Sequence, residues 1–170
     1  LRLNGKVIMN AVTDYDQPVF LLSGASSSLT VEGDGSVISR SNFAIKVVSD
    51  DTAVNIYGGT FTGGVFVDSF GTLKLYGGVF EAAQGNEISI TALVTLRELL
   101  GTAGGKTYAY YDGNDVPITG QLNEVGLSGT VKVKECHHTV TGYQITRETH
   151  RLICAACEKE MQPPENHTWD

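Results

Sequence analysis

The chain has 170 residues, room for one core plus a small appendage. Its net charge of −7 and the lack of any Lys/Arg run exclude a nucleic-acid surface, and no apolar run approaches the ~18 residues a membrane span needs. Gly is 20 of the 170 residues, above the usual share of about 7 per cent, and charged residues are 18%, which together favour strands and tight turns over helices.

Leu1 opens inside a strand-like pattern without a basic segment and apolar leader, and the chain stops at Trp169-Asp170; a piece of a longer polypeptide is expected. In chain order, one phrase recurs. Val54-Asn55-Ile56-Tyr57-Gly58-Gly59-Thr60-Phe61 returns as Leu73-Lys74-Leu75-Tyr76-Gly77-Gly78-Val79-Phe80, with looser copies at Leu1–Ile8 and Leu29–Ile38. The starts at 1, 29, 54 and 73 give steps of 28, 25 and 19 residues, a repeat with elastic loops.

Alternation on a strand points residues i and i+2 to one face. Leu1/Leu3, Leu29/Val31, Val54/Ile56 and Leu73/Leu75 are therefore expected inward, with Arg2, Thr30, Asn55 and Lys74 outward. The glycines that follow permit a sharp corner, after which a second apolar run begins at Val7-Ile8-Met9, Val37-Ile38, Phe61 and Val79-Phe80. A third run recurs as Val19–Leu22, Ala44–Val48 and Val65–Val67. Three short strands per 19–28 residues predict an all-β fold built on a short right-handed parallel β-helix, a solenoid occupying residues 1–85. The competing reading is a β-sandwich, which gives no reason to repeat Tyr-Gly-Gly at one register.

Residues 86–134 read as a cap. Leu93, Leu96, Leu99 and Leu100 keep a helical period, with Thr91 or Ser89 as N-cap and Gly101 as stop. Thr107–Tyr111, the Asp112-Gly113-Asn114-Asp115 turn and Val116–Thr119 predict a β-hairpin. Val125–Leu127 and Thr130–Lys134 supply further strand. The Asp-rich turn lacks the rest of an EF-hand loop, so it reads as a turn and not a Ca²⁺ site.

From residue 135 to 170 all three cysteines and all four histidines gather. Cys136-His137-His138 is followed after eleven residues by His150, then Cys154-Ala155-Ala156-Cys157, and after nine more by His167. Paired ligand residues in a small loop-rich segment are how a chain folds around structural Zn²⁺. Cys136, Cys154 and Cys157 are the expected sulfur ligands, the fourth coming from His138, His150 and His167, while His137 faces the other way. The alternatives are a Cys154–Cys157 disulfide, a redox-active Cys pair, or free thiols beside surface histidines.

The Gly-Gly-Thr-Phe and Gly-Gly-Val-Phe rungs, the Thr-Leu-Arg-Glu-Leu-Leu stretch, the Tyr-Ala-Tyr-Tyr-Asp-Gly-Asn segment and the His/Cys tail resemble a modular segment of large surface proteins of Gram-positive bacteria, notably Firmicutes of host-associated habitats. There, pectate-lyase-like β-helix rungs lead into units like C-x-H-T … H-T-x-x-C-x-x-C-G … H-T. Cys136, His138, Thr139, His150, Cys154, Cys157, His167 and Thr168 match that pattern. Two departures stand out: Thr107 replaces the Gly before Tyr-Ala-Tyr, and Glu158 replaces the Gly after the Cys pair, where positive φ disfavours Glu. The resemblance implies a secreted or wall-associated setting beside other domains of the same polypeptide.

Three functions are open on this reading. The first is a non-catalytic adhesion module contacting a host glycan or surface protein, with Tyr57 and Tyr76 stacked as an outward pair; the second is a structural spacer. The third is a polysaccharide lyase or glycoside hydrolase, which needs carboxylates held about 5–9.5 Å apart. Its candidates, Asp14/Asp16, Asp50/Asp51 and Asp68, sit at run ends where turn-forming is the plainer role, and Lys46 and Lys74 are lone charges on strands.

Overall fold

The computed structural model describes residues 1–9, 17–23, 26–40, 43–49, 51–67, 71–81, 86–90, 95–120, 122–123, 126–146 and 148–166. The fold is mostly β, and its first half is parallel. β1 (Val7–Met9), β4 (Ser36–Ile38), β7 (Thr60–Thr62) and β10 (Gly78–Glu81) pair side by side in that order. A second parallel set holds β2 (Phe20–Leu22), β5 (Ile45–Val47), β8 (Val65–Val67) and β11 (Asn86–Ile90). A third holds β3 (Ser28–Val31), β6 (Ala53–Ile56) and β9 (Thr72–Leu75). The chain visits the three sets in fixed rotation, one strand in each, and the rotation runs on through β11, past residue 85. Parallel pairing between like strands replaces the antiparallel ladders that a sandwich uses.

Register follows the sequence repeat for three of its four copies. Leu29, Val54 and Leu73 lie opposite one another, as do Val31, Ile56 and Leu75. The first copy is offset by two residues, because Arg2 bridges to Glu32. Leu3 is thus buried while Leu1 is 46% exposed, so the expected inward pair is a single residue. The Leu3 side chain occupies the room that Gly35 and Gly59 leave at the corner: a Cβ on them would lie 2.6 Å and 2.8 Å from it.

The two glycines of each Tyr-Gly-Gly divide the work of the corner. At the first, a Cβ would meet the backbone of the preceding copy, 2.7 Å from the Gly33 carbonyl oxygen at Gly58 and 2.6 Å from that of Tyr57 at Gly77. At the second, φ is +100° in Gly59 and +121° in Gly78, which side-chain-bearing residues avoid. Beyond the corner Phe61 and Phe80 turn inward and stack, centroids 5.2 Å apart and planes 12° from parallel. Both are fully buried with Val37 and Val131 in register beside them, and each contributes about 1.5–3 kcal/mol through burial.

A parallel set ends in an open edge that would template further pairing. In each of the three sets the edge formed by its last strand, β10, β11 or β9, receives its own cover. β15 (Val131–Glu135) pairs antiparallel with β10 and carries β13 (Lys106–Asp112) and β12 (Thr102–Ala103) beyond it. β14 (Gly126–Ser128) pairs antiparallel with β11. On β9, Leu75 bridges to Leu100, and the Gly101 N–H donates to the Leu75 carbonyl at 2.8 Å.

The helix of this cap, α1, spans Leu96–Leu99 and begins later than the apolar period predicts. Ser89 belongs to β11, and Thr91 and Leu93 lie outside the described residues. Thr95 is the cap residue, its N–H and hydroxyl donating to the Glu98 carboxylate at 2.6 and 3.1 Å. Leu96 and Leu99 are buried, and Tyr110, buried too, donates its hydroxyl to the Leu96 carbonyl at 2.8 Å. The predicted hairpin forms only in part. Tyr111 bridges to Pro117, but the ladder partner of β13 is β15, with Tyr110 opposite Val133. Asp112 closes the turn by accepting from the N–H groups of Asn114 and Val116, as an Asx turn does.

The tail forms a small antiparallel sheet of β16 (Thr141–Ile145), β17 (Thr149–Cys154) and β18 (Glu165–Asn166).

Candidate metal centre

Cys136 follows directly on β15, and its N–H donates to the Thr107 carbonyl at 2.8 Å, so the sheet fixes where this thiol starts. Two residues on, the chain reverses at His138, whose φ is +56°. Cys154 ends β17 opposite Thr141. Ala155 donates to the Val140 carbonyl and Glu158 to the Cys154 carbonyl, which curls 154–158 into a tight turn with Cys157 on it. Glu158 takes φ +58° there, so the left-handed residue expected after the Cys pair is present although Glu fills it.

These turns bring four ligand atoms together. The Cys136 and Cys154 Sγ atoms are 3.5 Å apart, and Cys157 Sγ is 3.3 Å from His138 Nδ1. One atom from each of Cys136, His138, Cys154 and Cys157 lies within 4.8 Å of every other, close enough to bind a metal ion. All three cysteines are unbridged. One ligand residue, His138, and the residue after another, Glu158, hold left-handed backbone, the kind of strain that persists where surroundings over-determine a site.

The cluster sits against the sheet. Ala109, Cys136, Cys154 and Ala156 form one buried group with Tyr111 and Cys157 packed on it. Burial pushes the Cys136 thiol up to about 12. Burial acts the same way on Cys154, but the N–H groups of Ala156 and Cys157 and the neighbouring thiols favour its thiolate and hold it below the ordinary value. Burial, with Lys159 and His137 nearby, lowers His138, which keeps the imidazole neutral and able to ligate.

Of the six ligands the sequence nominates, four converge. His150 does not. It lies opposite Ile145 on β17 with Nε2 3.4 Å from Glu165, and although it shares a strand face with Cys154, four residues of strand separate them by about 13 Å. His167 lies outside the described residues. His137 is exposed and lines a cleft with Tyr111, Lys134 and Glu135. One neighbour absent from the nominated set touches the centre, Thr107, whose Oγ1 is 3.3 Å from His138 Nε2, and a second, Arg97, reaches Glu158 beside Cys157 at 2.7 Å. No local sequence pattern signals either contact, since they join residues 31 and 61 positions apart.

The outward tyrosines do stack, centroids 4.4 Å apart and planes 5° from parallel. Tyr76 is half-buried, packed against Tyr57 and Gly101, with the Tyr108 ring perpendicular to it at a centroid distance of 5.7 Å. Tyr57, 48% exposed, keeps the open side of the pair. Of the acids considered for catalysis, Asp14, Asp16, Asp50 and Asp68 lie outside the described residues, and Asp51 takes φ +58° in a turn. Lys46 lies over the Phe66 ring and Lys74 donates to the Glu98 carbonyl.

No protein-family model, curated protein or solved structure matches this chain.

Proposed function

We propose that the chain is a non-catalytic structural module, a short right-handed parallel β-helix closed by its cap and stapled by one structural zinc ion on Cys136, His138, Cys154 and Cys157. The observation that carries this is the convergence of three thiol sulfurs and one imidazole nitrogen within 4.8 Å. A tetrahedral ion with Zn–S near 2.3 Å holds its ligand atoms about 3.7 Å apart, and the contacts of 3.5 and 3.3 Å need little adjustment to reach that spacing. Four protein ligands leave no open position for a substrate or water, which suits a structural and not a catalytic ion. The rotation of the chain through three parallel sets supports the β-helix.

The setting we infer is a secreted or wall-associated bacterial surface protein, in which the module spaces or presents other domains of the polypeptide. Its support is the resemblance of the rungs and of the Cys/His tail. One observation favours an added adhesive role toward a host glycan or surface protein: Tyr57 presents an exposed ring on a rigid stack. The engagement of Lys46 and Lys74 in cation–π and backbone contacts supports the non-catalytic reading over a lyase.

Chelation followed by amide hydrogen exchange tests the staple. Protection in residues 136–166 is expected to collapse while β4, β7 and β10 stay protected. A tail that keeps its protection without metal sinks the proposal. A glycan array on the wild type and a Tyr57→Ala variant separates adhesion from spacing, and release of unsaturated or reducing sugar from a polysaccharide panel overturns the non-catalytic reading.

A further inference from the structure

We propose that His138 ligates through Nδ1 and that Thr107 is the positioning residue that sets this tautomer from the far side of the ring. The inference rests on the zinc reading above and adds to it which nitrogen binds and what holds it there. His138 has one ring nitrogen on each side of the site: Nδ1 is 3.3 Å from Cys157 Sγ, inside the ligand cluster, and Nε2 is 3.3 Å from Thr107 Oγ1, outside it. A neutral imidazole carries one N–H and one lone pair. With Nε2–H donated to the Thr107 oxygen, the lone pair falls on Nδ1 and points at the sulfurs. Metal-bound histidines characteristically donate their other N–H to an oxygen, which orients the ring.

Thr107 grips a second ligand as well. Its carbonyl accepts the Cys136 N–H at 2.8 Å, so a single residue of β13 holds the backbone of one ligand and the ring of another. Because β13 pairs with β15 from Tyr108 opposite Glu135 onward, this grip is anchored in the sheet and not in the tail. It also gives the Thr at 107 a purpose that the Gly of the resembling pattern cannot serve.

The experiment uses the full chain loaded with Zn²⁺. Long-range ¹H–¹⁵N correlation of the wild type is expected to show His138 with protonated Nε2 and metal-bound Nδ1; binding through Nε2 overturns the inference without touching the zinc site. In parallel, zinc affinity is measured by chelator competition for Thr107→Val and Thr107→Ser. Val, of like shape but without the hydroxyl, is expected to weaken binding about 10–100-fold, and Ser to return it to within a few-fold of wild type. Equal affinity for Val and wild type overturns the positioning role. A wild type that binds no zinc removes the zinc reading itself and this inference with it.

Discussion

Glu158 holds φ at +58° one residue after Cys157 and reaches the Arg97 guanidinium at 2.7 Å. The turn that closes the cysteine pair is thereby tied to α1, which contains Arg97, and Arg97 also donates to Asn123 at 3.1 Å. The left-handed conformation costs a residue with a Cβ about 1 kcal/mol, and the partly exposed ion pair offsets at most about that much.

Comparing Glu158→Gly with Glu158→Ala isolates the strain, because both variants lose the ion pair and only Ala keeps a Cβ. The glycine variant is expected to be more stable than the alanine variant by about 1 kcal/mol in denaturant titrations of the zinc-loaded chain. Equal stability would mean that the backbone at 158 carries no strain.

Gly101 marks where the third parallel set stops. A Cβ there would lie 2.2 Å from Tyr76 Cε1, and the contacts of that ring with Tyr57 and Tyr108 oppose its displacement. Gly101→Ala is expected to destabilise the fold by about 1–3 kcal/mol through overpacking, with a matching change in the tyrosine near-ultraviolet signal. Wild-type stability in that variant contradicts a tightly seated cap.

Acid is expected to open the centre from two directions. His138, half-buried and near Lys159 and His137, has its pKa held below the ordinary value of about 6.5, partial desolvation being the main cause. Between those two values the unfolded chain binds more protons, so the stability this group confers is present above about pH 6.5 and lost as pH falls through its folded pKa. Zinc adds the second effect. With burial pushing the metal-free Cys136 thiol up to about 12, a proton must leave it whenever metal binds. Apparent zinc affinity should therefore fall by at least about tenfold for each pH unit from about 8 to about 5. A flat affinity across that range, measured by chelator competition, contradicts thiolate ligation at Cys136.

The repeat was legible because each Tyr-Gly-Gly answers two local demands, a close approach at Gly58 and Gly77 and a positive φ at Gly59 and Gly78. Where register depends on something else the residues mislead: Leu1-Arg2-Leu3 reads like the other copies, yet packing of Leu3 against Gly35 and Gly59 slides it by two. The three sulfurs of the centre were legible from composition. The histidine was not, because strand spacing reports a shared face and not a distance, which is why His150 looks as eligible as His138. Thr107 lies 31 residues from His138, and their contact depends on the pairing of β13 with β15, which no local pattern announces.

Elemental analysis of the purified chain and of single-ligand variants tests the central claim most directly. The wild type and His150→Ala are expected to carry one zinc per chain, and His138→Ala, Cys136→Ala, Cys154→Ala and Cys157→Ala to lose most of it, because only those four side chains converge on one point among the described residues. A wild type free of metal, or a chain that keeps its zinc without His138 and loses it without His150, would contradict the account.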